Sequence, residues 1–229
     1  MTYERFWAKA EPLATSLSAS HPIWAHSLDV AATLAALLDA NRVLWDRMAG
    51  ALGCGPTETM RIAVWLAALH DIGKFSAAFQ SLAPEAWPEE ALGETVPGFA
   101  SGDRPRHDLL GLWLWENGLS GTLTGRAWPG AGETLDKLAA AAFGHHGKPL
   151  SHQDLERVRA RKDIGEASQA AAQAFAEAIT DLLLPEALTA TAPRAGQPAV
   201  FLLAGLVNLA DWIGSNKGWF PYHLSLIHI

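Results

Sequence analysis

Cysteine is nearly absent from this chain of 229 residues: Cys54 stands alone, so no internal disulfide framework exists, and a reducing, cytoplasmic setting is expected. Basic residues are also short, 17 Lys and Arg against 24 Asp and Glu, for a net charge of -7. That balance argues against a general polyanion coat, although positive charge gathers locally at Arg104, Arg106, Lys148 and in "ERVRARKD" at 156–163. Two readings of the 156–163 cluster stand, a solvated helix face or a narrow basic track. Long apolar runs are missing as well. The longest, "AVFLLAGLV" at 199–207, leads directly to Asn208 and Asp211, and "MTYERFWAKAEP" lacks the features of a signal peptide. Neither export nor a membrane partner is expected. There is no G-x-x-x-x-G-K-[ST] phosphate loop and no nucleophile elbow.

With 49% hydrophobic residues the chain is able to bury a substantial core. Nearly every segment has a helical period, and no two-residue alternation bounded by hairpin turns stands out, so the fold class is all-α. Helices are predicted over about 22–39, with Ile23, Ser27, Leu28, Ala31, Leu34 and Leu38 on one stripe and His26 and Val30 at its edge. Others are predicted over 57–72, from 106, over 133–144, 165–184 and 198–214. "IAVWLAAL" is apolar all round, as in a central helix of a bundle, with Gly73 as its expected stop. Residues 81–105, rich in Pro, Gly and Glu, read as a long loop, and Ser151 with Asp154 resembles a capping box. Residues 1–222 form one expected domain. "LSLIHI" at 224–229 continues no earlier pattern and matches what a sequencing adapter encodes, so 223–229 is read as a non-native tail on a chain that continues differently in nature.

What these helices carry is harder to place in a core. In "ALHDIGKF", His70 and Asp71 end an oily helix, and a lone buried carboxylate costs several kcal/mol unless paired or bound to metal. A helix end where His70 and Lys74 complement the dipole and Asp71 pairs with Lys74 accounts equally well for these residues. Other donors recur, however: His26, His107 before Asp108, His145 and His146 between Gly144 and Gly147, and Asp211 on a face with Ala204 and Val207. Each alone has a structural explanation. Together, five histidines and two aspartates match the demand of two adjacent transition-metal ions, with Asp71 as the natural bridge.

The ordered set His26, "HD" at 70 and 71 with Gly73 and Lys74, His107, "HH" at 145 and 146, and Asp211 resembles the HD phosphohydrolase superfamily. More narrowly, "HPIWAHSLDVA", "ALHDIGKFSAAFQ", "RHDLLG", "FGHHGKP" and "LADWIGSN" resemble the HD nuclease domain of the type I CRISPR helicase-nuclease, from about Trp7 to Tyr222. The resemblance implies an HD-domain helical bundle with the metal site at its centre. One ion would be held by His26, His70, Asp71 and Asp211, and a second by Asp71, His107, His145 and His146. Lys74 matches the family's lysine after the HD pair, a catalytic position where it would steady a phosphate or the metal-bound hydroxide, with a helix-end cation as the structural alternative. Lys74, Lys148 and Ser215 are the candidate substrate contacts. Mn, Fe, Co or Ni is expected over Mg, given the histidine-rich set. The implied activity is metal-dependent cleavage of single-stranded DNA in CRISPR antiviral defence, with a helicase and a CRISPR surveillance complex as partners. Rival readings are an HD phosphohydrolase acting on nucleotides or cyclic nucleotides, and a non-catalytic helical module. Of the ten tryptophans, Trp113, Trp115, Trp212 and Trp219 have the chemistry to stack on bases, but the core reading is preferred, with Trp24, Trp65 and Trp113 on apolar faces and only Trp219 kept as a contact for a partner domain or nucleic acid.

Overall fold

A computed structural model of the chain describes residues 2–10, 20–100, 102–147, 150, 152–189 and 194–221. Lys148, the Ser151 and Asp154 capping pair and the 223–229 tail lie outside the described residues or side chains.

The architecture is helical: α1 (Ile23–Ala40), α2 (Arg42–Leu52), α3 (Pro56–Leu69), α4 (Ala77–Gln80), α5 (Glu89–Leu92), α6 (His107–Leu114), α7 (Ser120–Ala127), α8 (Gly132–Phe143), α9 (His152–Leu155), α10 (Glu166–Leu183) and α11 (Gln197–Gly214). α3 is the central element. Its Ile62, Ala63, Trp65, Leu66, Ala67, Ala68 and Leu69 are all buried, and α1, α2, α8 and α10 pack around it. Two indoles that enter this core find partners: Trp65 Nε1 donates to Thr180 Oγ1 at 3.0 Å and Trp115 Nε1 to Asp136 Oδ1 at 2.8 Å. Trp115 is therefore a core residue and does not offer a stacking face, whereas Trp212 and Trp219 are exposed. α1 and α11 are long and apolar enough to cross a membrane by length and composition; here they pack against each other. Gly214 makes that approach close, since a Cβ there would lie 3.1 Å from a Val30 methyl.

Three expectations change, and one helix whose end the sequence left open proves to continue. Two short strands, β1 (Trp7–Ala10) and β2 (Ser20–Pro22), form an antiparallel pair with an irregularity between Trp7 and Lys9. Runs of four and three residues are too short for an alternation to register. The 81–105 stretch contains a helical turn at Pro84–Ala86 and α5, because prolines at the start of each turn suit helix N-termini. α6 continues through a π-helical turn, Trp115–Leu119, into α7. Finally, α3 ends at Leu69, and Gly73 sits in a following 3₁₀ turn, Ile72–Phe75, rather than acting as a left-handed stop. Its smallness is what the fold uses: a Cβ on Gly73 would stand 1.8 Å from the His107 carbonyl oxygen and 2.4 Å from the Gly111 nitrogen. Only glycine lets this turn press against the start of α6.

Candidate metal centre

Seven donors from five parts of the chain converge where these helix ends meet. His26 lies in the first turn of α1, His70 and Asp71 follow α3, His107 opens α6, His145 and His146 follow α8, and Asp211 is in the last turn of α11. His26, expected at the edge of its stripe, is fully buried, as are Val30 and His70; Asp71 is 1% exposed. Asp211 does not face apolar surroundings as its spacing suggested; its carboxylate looks onto His26 and His70.

The donors form two groups. In the first, His26, His70, Asp71 and Asp211 each present an atom within 4.8 Å of the others; the second contains His107, His145 and His146. Asp71 faces both. Its Oδ2 lies 3.1 Å from His26 Nε2 and 3.2 Å from His70 Nε2, while its Oδ1 lies 3.3 Å from His107 Nε2 and 3.7 Å from His145 Nε2.

These approaches are close without being aligned as hydrogen bonds. Both Asp71 oxygens and the Nε2 atoms of His26 and His70 are buried and lack an aligned hydrogen bond among the described residues, with Oδ2 meeting the Lys74 ammonium as an ion pair. Leaving such atoms unsatisfied is expensive, of order 1–3 kcal/mol each. The ring orientation explains the arrangement. His70 Nδ1 lies 2.7 Å from the Ala67 carbonyl and His145 Nδ1 3.3 Å from the Ala142 carbonyl. A carbonyl only accepts, so each Nδ1 carries a proton and each Nε2 faces inward as the atom left to meet a metal; in His70, whose ring is raised to about 9 without a cation, a metal would have to displace the Nε2 proton. The set thus fits divalent cations, and nitrogen-rich coordination favours transition metals.

Electrostatics agree. Burial works to raise the Asp71 carboxyl, but the His70 and Lys74 charges and the hydrogen-bonding reach of His107 and His26 hold it well below the usual carboxylate range. Burial likewise opposes ionisation of Asp211, and His26 and His70 outweigh it, leaving this carboxyl also depressed. For His70, burial is overcome by Asp71 and Asp211, and the ring is raised to about 9. His26 is lowered mainly by burial, and His145 falls to about 3 through burial and the His70 charge. His146 is lowered too, by burial and then His107. Two anionic carboxylates and mostly neutral imidazoles make a centre ready for cations.

Lys74 is buried, with Nζ 2.5 Å from Asp71 Oδ2. Ser215 donates its hydroxyl hydrogen to Asp211 Oδ1 at 2.9 Å and accepts from Lys9 Nζ, so it steadies a donor rather than standing free. Lys9 was not legible in the sequence because the hairpin that delivers it was not. Buried Gln80 fixes that hairpin: its amide donates to the Trp7 carbonyl at 2.9 Å and to the Lys74 carbonyl at 2.8 Å.

Residues 7–220 match the family described as Cas3, HD domain. The chain belongs to the Cas3 HD-domain family. The CRISPR-associated endonuclease/helicase Cas3 of Escherichia coli (strain K12) is 31% identical over 92% of this chain and 25% of its own length. The crystal structure of the Thermus thermophilus Cas3 HD domain in the presence of Ni2+ superposes with a TM-score of 0.62 at 25% identity, covering 89% of this chain and 75% of that one. A chain of a CRISPR RNA-guided surveillance complex, pre-nicking, matches with a TM-score of 0.66 at 25% identity over 94% of this chain and 25% of that one. The chain spans a quarter or less of the length of the curated relatives it matches.

Proposed function

We propose that this chain is a metal-dependent nuclease domain that hydrolyses phosphodiester bonds of single-stranded DNA in CRISPR defence. One observation carries the reading: the two oxygens of buried Asp71 face separate donor groups, His26, His70 and Asp211 on one side and His107 and His145 on the other. Divalent ions bound there would activate water and neutralise charge on the departing oxygen, which accounts for a site without a side-chain nucleophile. Within it, Asp71 joins the two groups, the Ala67 and Ala142 carbonyls orient His70 and His145, and Lys74 offers a cation to the phosphate. The relatives support this reading through the names endonuclease/helicase and the Ni2+-treated Thermus domain.

Mn, Co, Fe or Ni is favoured over Mg by the histidine content. Residues 1–222 are read as the nuclease unit, acting in the cytoplasm with a helicase, fused or separate, that delivers the strand after a surveillance complex opens the target. Without that delivery, cleavage should be slow and unselective.

The test loads the chain with Mn2+, Co2+ or Ni2+ and offers single-stranded DNA, duplex DNA and a panel of nucleotides and cyclic nucleotides, beside Asp71→Asn. Single-stranded DNA is expected to be cut, EDTA to stop it, and Asp71→Asn to lower the rate by at least about 100-fold, the scale of losing one preorganised polar group at a reacting centre. Nucleotide hydrolysis with DNA left intact under every metal would transfer the site to the nucleotide phosphohydrolases. Undiminished cutting by Asp71→Asn would place the activity elsewhere.

A further inference from the structure

Beside the centre, a groove of about 380 Å³ runs between the residues preceding α6 and the segment after α9. Arg104, Arg106, Arg157 and Arg159 line it, with Asp103 and Asp108. The groove has a scaffold. Arg159 ties its two walls together, donating to Asp103 Oδ2 at 3.0 Å across the groove and to buried Asp163 Oδ1 at 3.0 Å on its own side. Arg106 is held by both oxygens of fully buried Asp108 while its guanidinium remains largely exposed. The two acids are therefore engaged by Arg159 and Arg106, and Arg104 and Arg157 remain as surplus positive charge on a chain whose net charge is -7.

That surplus is not spent internally. Among the described residues no ion pair engages Arg157, which is exposed. Arg104 is braced with its guanidinium 5.2 Å from the Phe99 ring centre and a long 3.4 Å bond to Ser81, yet its Nε is buried without a hydrogen-bond partner. The groove also adjoins the donor groups. Arg106 directly precedes His107, and the buried Asp108 that braces Arg106 directly follows it, so two residues lining the groove flank a donor at the start of α6.

We propose that this arginine groove is a binding site for the phosphate backbone of single-stranded DNA flanking the bond to be cut, with Arg104 and Arg157 contacting successive phosphates. Planar guanidinium groups match phosphate geometry, and a bidentately braced Arg106 presents its remaining N–H edge already oriented. Contacts to backbone alone give register without sequence preference, which suits a nuclease supplied with any strand. This site rests on the nuclease reading and adds the path by which the strand reaches the centre.

The test measures anisotropy of a labelled oligo-dT across a salt series in EDTA, for the wild-type chain, Arg157→Glu, Arg104→Gln and, as a charge control, Arg47→Glu on the exposed side of α2. Cleavage by the wild type with Mn2+ is recorded in parallel. Arg157→Glu is expected to weaken binding about fivefold or more at low salt and to flatten the plot of log K against log salt by about 0.7, one phosphate contact on a single strand. Arg104→Gln should do the same in part and Arg47→Glu should match wild type. Equal affinity and slope for all four proteins, with wild-type cleavage intact, would overturn the groove and leave the nuclease reading standing. Absence of wild-type cleavage would overturn both.

Discussion

Lys9 reaches the centre through one intermediary: its ammonium donates to Ser215, whose hydroxyl donates to Asp211. Its own pKa is lowered, by burial first and then by Lys74, so the ammonium is held there against both effects by the nearby carboxylates of Asp211 and Asp71. Lys9→Met and Ser215→Ala should each slow DNA cleavage by roughly tenfold, the lower end of what a partner of a metal ligand contributes, with lower metal affinity by calorimetry. Lys9→Arg should recover part of the loss. Equal metal affinity in all three proteins would reduce Lys9 to a surface cation. The metal-free protein should also show a stability maximum near pH 6.5. His145, lowered to about 3, binds fewer protons folded than unfolded, so its contribution is complete above the ordinary histidine pKa and is lost as the pH falls toward 3. The depressed Asp71 and Asp211 carboxyls act in the same acid direction. His70, raised to about 9, contributes fully below the ordinary histidine pKa and loses that contribution as the pH rises through 9. Urea midpoints from pH 4 to 10 in EDTA check this, and a flat alkaline limb would remove the charge assigned to His70.

At the scale of the element, the 3₁₀ turn after α3 is the part least tolerant of change. Gly73→Ala should cost about 1–3 kcal/mol or more through overpacking against α6, and should displace His107 from Asp71, so both the denaturation midpoint and metal binding are expected to fall. A Gly73→Ala protein of unchanged stability would mean that α6 is free to retreat. The glycine itself was visible in the sequence, but its purpose was not: the pattern offers a helix stop, and only the contact with His107 and Gly111 reveals a space requirement. The long helices were legible because α1, α3, α8, α10 and α11 each bury a continuous stripe at the helical period. The hairpin and α5 were not, since three or four residues are too few for a period to show. His70 and Asp71 stood out because burying such groups without partners is unfavourable, a cost readable without coordinates, and the other four histidines and Asp211 because they recur around that pair in order. Lys9 carries no such signal, and Gln80 and Ser215 acquire theirs only when the hairpin and α11 meet the turn.

Across the whole molecule, the centre draws donors from position 26 to position 211 and joins the ends of α1, α3, α6, α8 and α11. Without cations, buried donor atoms that lack hydrogen-bond partners sit where those helices converge. Cations that bind the folded chain and not the unfolded one must then stabilise the entire bundle, by about 2.7 kcal/mol when free metal exceeds its Kd 100-fold. For a domain of this size that corresponds to a rise in Tm of roughly 5–11 °C. Scanning calorimetry should show the rise with Mn2+, Co2+ or Ni2+, a smaller one with Mg2+, and its reversal by EDTA. Asp71→Asn should abolish most of the increment while leaving the helical circular dichroism signal in place, because the apolar stripes and not the centre fold the bundle. A Tm unmoved by every metal would mean that the converging donors do not hold ions in the folded chain. A metal increment retained in Asp71→Asn would instead show that the two donor groups bind independently, without a shared carboxylate between them.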